Sequence, residues 1–185
     1  TAPVVIDADA LQAGLPVLAR GTAPRVLTPH VGEFRAVFPR LARLVDMDRF
    51  AACQQAADAF SAALPGAKVR SAVLLKGVPT VVGSPRTAAL VTASGNPALA
   101  TGGSGDLLAG FTGAFIARGL RVAEAAALAA HVLGRAAELA AVQLTVRGTR
   151  PMDVLAVLPE LWRAWAEPPV PAPPVVLELV PPQVT

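Results

Sequence analysis

Gly95–Gly110, GNPALATGGSGDLLAG, runs from a glycine-rich loop straight into an apolar helix. Glycines at 102, 103 and 105 let the backbone take positive φ and let an anion reach the amides, while a helix start offers unpaired N–H groups and partial positive charge. Such a loop suits a phosphate. The spacing predicts a helix over 106–118 with Asp106 in its first turn, where a carboxylate caps the helix and faces whatever the amides hold. Beside a bound phosphate, Asp106 is a candidate base for a substrate hydroxyl. A side chain at Gly105 would enter the phosphate's space, and a positive φ there would strain a β-branched replacement. Without a ligand the same residues are a flexible loop and an ordinary aspartate cap. The agreement of glycines, cap and helix favours the functional reading.

Working outward, Val4–Asp7 and Arg25–Thr28 are short β-prone runs, each followed by turn residues and a helix-like pattern. Further helices are predicted over Val31–Phe38, Met47–Leu64, Val122–Val142 and Met152–Trp165, with alanine-rich faces suited to packing on a sheet. Strands are predicted at Ala72–Lys76, Thr80–Gly83 and Ala88–Thr92. The alternation implies an α/β fold of three layers, a mainly parallel sheet between helices. A tight turn at Gly77–Pro79 allows the last two strands to form an antiparallel edge. Asp7 and Asp9 alternate in β geometry and are expected on opposite faces. Val4 opens a strand at once, so the chain reads as the later portion of a larger fold. From Pro168 the sequence PPVPAPPVVLELVPPQVT forbids helix and predicts an extended tail over 168–185, with 1–167 as the domain.

Length and composition bound the function. The 185 residues suffice for one core, and with 54% hydrophobic and 16% charged residues the body is not a disordered chain. The longest uncharged stretch, Thr87–Gly105, is broken by glycines, Pro97 and Asn96 and does not read as a membrane span. The net charge is +3, but the arginines are scattered with almost no aromatics among them, which argues against nucleic acid. The lone Cys53 lies among alanines with no basic neighbour, reads as buried, and fits a reducing cytoplasm. His131, in an alanine-rich pattern, reads as packing or partly exposed.

Four segments together carry a resemblance. Asp7–Leu11 is DADAL, Thr28–Phe34 is TPHVGEF, Lys76–Thr80 is KGVPT, and Gly95–Asp106 is GNPALATGGSGD. In order and spacing they resemble the ADP-dependent NAD(P)H-hydrate dehydratases, relatives of the ribokinase-like sugar and vitamin kinases. A weaker likeness to the family's last helix lies at Arg150–Leu161. Val31 departs from the family's usual proline, which is expected to loosen the turn that aims His30, and Gln12 stands in place of asparagine.

The resemblance implies a ribokinase-like fold lacking its amino-terminal portion and a repair reaction. Hydrated NADH or NADPH is phosphorylated on the ring hydroxyl by ADP, and phosphate is then expelled, leaving NAD(P)H and AMP. It places the substrate at His30 and Asp106. The nucleotide falls to Lys76, Gly77, Val78, Pro79, Thr80, Asn96, Gly102, Gly103, Ser104 and Gly105. It implies Mg2+ bridging the phosphates, no metal site built from protein ligands alone, and a cytoplasmic homo-oligomer without nucleic-acid or membrane partners. The other readings are a ribokinase-like kinase of a small alcohol and an inactive nucleotide-binding fragment.

Overall fold

A computed structural model describes residues 2–65 and 70–166. The proline-rich segment lies outside them. The elements, in chain order, begin with β1 (Val4–Ile6), α1 (Leu15–Leu18), β2 (Arg25–Leu27), α2 (Val31–Val37), α3 (Leu44–Met47) and α4 (Arg49–Ala63). They continue with β3 (Ser71–Leu75), β4 (Thr80–Gly83), β5 (Leu90–Thr92), α5 (Ser104–Ala117), α6 (Val122–Leu144), α7 (Pro151–Ala156) and α8 (Leu158–Ala166).

The sheet order is β1-β2-β3-β4-β5, with β1, β2 and β3 parallel and β4 and β5 antiparallel extensions. The antiparallel part thus begins at the β3–β4 pair, across the Gly77–Pro79 turn. Strand alternation builds two cores. Ala72, Leu74, Val26 and Val82 face α5 to α8, while Val73, Leu75, Leu27 and Val81 face the α1 to α4 side. All five residues of β3 are buried, as expected of a strand covered on both faces. This is the expected three-layer α/β/α arrangement.

Alanines bring α6 close to the sheet. Ala125, Ala126, Ala129, Ala136, Ala137 and Ala140 are fully buried along it. By length and composition this helix could cross a membrane, but in the fold it is a core helix, with more than half of its most apolar stretch buried.

Several boundaries differ from expectation, each for a local reason. β1 stops at Ile6, and the DADAL segment turns into a 3-10 helix over Ala8–Ala13. Asp7 and Asp9 therefore do not alternate on a strand. The helix expected over Met47–Leu64 divides at Asp48, whose extended backbone starts α4 and whose Oδ1 accepts from the Ala51 N–H at 2.9 Å. The last helix divides into α7 and α8 because Pro159 has no N–H to donate and its ring would clash with the carbonyl of Leu155 in a continuous helix. Helix α5 begins at Ser104 rather than Asp106.

Cys53 is fully buried, and desolvation pushes its thiol up from 9.0 to about 11. Native protein should resist thiol reagents that label it readily once unfolded. The raised value means that the folded state keeps a proton the unfolded chain gives up first. This contribution is intact below about pH 9 and should be lost as pH rises through about 11, in chemical denaturation against pH.

Candidate functional site

The three parallel strands deliver their following residues to one edge of the sheet. β1 leads to Asp7, β2 to Thr28, Pro29 and His30, and β3 to Lys76. Ligands of open α/β sheets bind at such carboxyl ends. Lys76 Nζ donates to Asp7 Oδ1 at 2.8 Å and lies 3.6 Å from Glu33 Oε2, and its own N–H donates to Pro29 O at 2.8 Å. All three side chains are under a quarter exposed, so one ammonium sits between two largely shielded carboxylates. The charge of Lys76 is thus held within this cluster. Asp9 stands apart, exposed, and accepts from Gln12.

His30 starts α2. Its Nδ1 accepts from the N–H groups of Gly32 (2.9 Å) and Glu33 (3.2 Å), and Glu33 Oε2 accepts from the His30 N–H at 2.8 Å. This reciprocal cap closes the turn with Val31 at the first helical position, where the family's usual proline is absent. Two donors on Nδ1 assign the proton of the neutral ring to Nε2, which lies 3.4 Å from Glu33 Oε1 on a half-exposed imidazole.

The start of α5 abuts the same cluster. Gly103 begins it with φ +94, a left-handed conformation that favours glycine, and open space surrounds Gly102. Gly105 does not have a positive φ. It lies in the first helical turn, where a Cβ would stand 3.4 Å from Asp7 Oδ2 and 3.6 Å from Lys76 Nζ. Its constraint is therefore the neighbouring ion pair, not backbone strain. Leu107 is the first residue to donate to a carbonyl four back, and the N–H groups of Gly105 and Asp106 have no acceptor among the described residues. Ser104 is buried with an unpartnered hydroxyl, and the exposed Asp106 carboxylate makes no ion pair among the described residues. Free donors, open glycines and an unengaged carboxylate thus share one helix end.

The KGVPT turn closes through Thr80 Oγ1, which donates to Gly77 O at 2.9 Å. Its outer face is open: Val78 is fully exposed, and the N–H groups of Gly77 and Val78 have no acceptor among the described residues. Its inner face is filled by Arg49, donating from Nε to Pro79 O at 2.9 Å and from one terminal nitrogen to the carbonyls of Lys76 and Leu75. Burial pushes the Arg49 guanidinium below its usual pKa.

The loop before α5 is strapped to α6. Ser94 Oγ lies 3.2 Å from His131 Nδ1, the Gly95 N–H donates to Glu138 Oε1 at 2.7 Å, and Asn96 Nδ2 donates to Ala137 O at 2.9 Å. Asn96 Oδ1 accepts from Ala98, so both ends of this amide are occupied by protein. A Cβ at Gly134 would stand 2.6 Å from the Ser94 backbone, so only glycine permits this approach. His131 is exposed and stacks on Trp165.

The structure thus brings together His30, Lys76, Gly105 and the start of α5, with Asp7 and Glu33 as members the sequence reading did not assign to the site. The three-residue interval from His30 to Glu33 matches a capping box and is the signal for the second. Arg49 carries no such signal. Among the described residues no three His, Cys, Asp or Glu side chains are arranged to hold a metal. An ion carried on a nucleotide's phosphates is what this donor set fits, since Mg2+ commonly needs only one or two protein carboxylates besides phosphate oxygens. Asp106 is the unengaged carboxylate at hand, since Asp7 and Glu33 flank the Lys76 ammonium.

A family profile described as NAD(P)H-hydrate dehydratase matches residues 1–160. The bifunctional NAD(P)H-hydrate repair enzyme of Synechocystis sp. is 38% identical over 173 residues, 90% of this chain and 31% of that protein. The ADP-dependent (S)-NAD(P)H-hydrate dehydratase of Neisseria meningitidis is 41% identical over 142 residues, 74% of this chain and 45% of that protein. The solved ADP/ATP-dependent NAD(P)H-hydrate dehydratase of Bacillus subtilis, co-crystallised with ATP and Mg2+, superposes with a TM-score of 0.72 at 26% identity, covering 88% of this chain and 56% of that one. The chain thus spans less than half the length of these two curated relatives.

Proposed function

Because the chain belongs to the NAD(P)H-hydrate dehydratase family and has its ribokinase-like fold, we propose that it carries the phosphoryl-transfer site of an ADP-dependent dehydratase acting on hydrated NADH or NADPH. The observation that carries this reading is the start of α5. There the unengaged Asp106 carboxylate stands beside acceptor-free N–H groups, next to the Asp7–Lys76 pair.

In this reading Asp106 accepts the proton of the hydrate's hydroxyl as that oxygen attacks the terminal phosphorus of ADP, with AMP leaving. The acceptor-free amides at the start of α5, those of Gly105 and Asp106, hold the charge spread over the transferring group, while the Ser104 N–H is already taken by Thr101 O. Phosphorylation turns hydroxide, a poor leaving group, into phosphate, which the ring nitrogen's electron pair expels to give an iminium ion. Loss of a proton from the adjacent ring carbon to the released phosphate or to water then restores the dihydropyridine. His30, with its proton on Nε2, presents a donor to the hydrated cofactor. A bound Mg2+ supplies neutralisation of the phosphate charge. The site's homologous partners are thus the hydrate and ADP, in a cytoplasmic setting that suits a buried, reduced Cys53.

The test uses the purified chain with hydrated NADH, ADP and Mg2+. The expected result is recovery of reduced-nicotinamide absorbance with release of AMP and phosphate in equal amounts. ADP-dependent phosphorylation of a small alcohol with no recovery would replace this reading with a kinase. Failure to bind ADP would remove the nucleotide site.

A further inference from the structure

Arg49 occupies a costly position. It is the first residue of the fifteen-residue α4, where a cation opposes the helix dipole, and it is partly buried. It has no carboxylate partner within ion-pair distance among the described residues. Its compensation comes from carbonyl oxygens of one segment, Leu75, Lys76 and Pro79, so the guanidinium stands as a template inside the Gly77–Pro79 turn. Gly77 answers it. At φ +146 a side chain is strained, and a Cβ there would collide with the Arg49 guanidinium, so the turn closes over it in this form with glycine.

The consequence follows from peptide geometry. In a trans peptide the C=O and N–H point in opposite directions, so drawing Lys76 O toward Arg49 turns the Gly77 N–H to the other side. That N–H has no acceptor among the described residues, and it belongs to the turn that follows Lys76, itself in contact with the start of α5.

We propose that Arg49 is a positioning residue for the nucleotide: by gathering the Leu75, Lys76 and Pro79 carbonyls on one side of the turn, it presents the Gly77 N–H to ADP on the other. This rests on the nucleotide reading above. Arg49 touches no reacting atom in this arrangement. Lysine cannot replace it fully, because a single ammonium lacks the planar fork that reaches carbonyls on both sides of the turn.

The experiment compares the chain with Arg49→Met and Arg49→Lys. Amide NMR without ligand reads the turn, and calorimetry with ADP reads binding. In Arg49→Met the Gly77 and Val78 amide signals should move or broaden while those of β3 and β4 hold, and ADP affinity should fall roughly tenfold or more. Arg49→Lys should recover part of both. Should Arg49→Met fail to fold, Arg49→Gln, which keeps a polar side chain but lacks the guanidinium fork, must move the Gly77 and Val78 signals and weaken ADP binding in the same direction. Unchanged Gly77 and Val78 signals overturn the proposal, as does a displaced turn with unchanged ADP affinity. If the parent chain binds no ADP, the nucleotide reading fails and the assignment of Arg49 to it falls as well, whereas loss of affinity only in the variants leaves both standing.

Discussion

Asp106→Asn should lower turnover roughly 100- to 10,000-fold while leaving ADP affinity nearly unchanged, as expected for loss of a general base. The substitution keeps size and shape at the third position of α5 and removes only basicity. Because the carboxylate has no ion-pair partner among the described residues and is exposed, the unfolding free energy should move by less than about 0.5 kcal/mol. Steady-state kinetics beside ADP calorimetry and a denaturant titration separate these effects. Near-normal turnover in the variant would leave Asp106 a helix-start residue without catalytic weight.

Gly105→Val should eliminate measurable ADP binding in calorimetry with only a modest fall in the thermal midpoint. The first atom of the new side chain fits, since a Cβ meets Asp7 and Lys76 at ordinary contact distance. The two methyl groups beyond it crowd the ion pair and cover the N–H groups to which phosphate would bind. The apolar face of α5, including the buried Leu108 and Ile116, still packs against the sheet. Gly105→Ala is the informative companion: it adds only the tolerated atom and favours helix by up to about 1 kcal/mol, so its midpoint should hold or rise. A valine variant that binds ADP like the parent would move the phosphate site away from these amides.

The elements with strong periodicity were legible before any coordinates. Thr80–Gly83 matches its predicted bounds, and α6 differs only in its last turn, because a short β-branched run after a turn and a long alanine stripe each admit one reading. The glycine loop and the apolar helix after it were legible for a similar reason, in that they are contiguous in the chain. The cap position, however, falls to Gly103, and the Asp106 side chain, third in α5, caps nothing among the described residues. What escaped was set by distant contacts. Asp7 looked like a strand residue, yet its partner Lys76 lies 69 positions away, and no local pattern announces such a pair. Arg49 reaches carbonyls 26 to 30 residues ahead, so its place inside the KGVPT turn exists only in the folded chain. The positive φ expected at Gly105 belongs to Gly103 because α5 starts two residues earlier, a shift well within the fuzziness of sequence-read helix ends.

The strap from Ser94 to Asn96 onto α6 bears on how fast and how freely a ligand can be captured. A glycine-rich segment is ordinarily the most entropic part of a chain, and freezing it at the moment of association would slow binding and weaken it. Here three successive residues are tied to a helix that forms the core, through His131, Glu138 and Ala137. Their ordering therefore belongs to the folding equilibrium. If the amides at the start of α5 bind phosphate as proposed, its capture meets no slow closing step contributed by this segment.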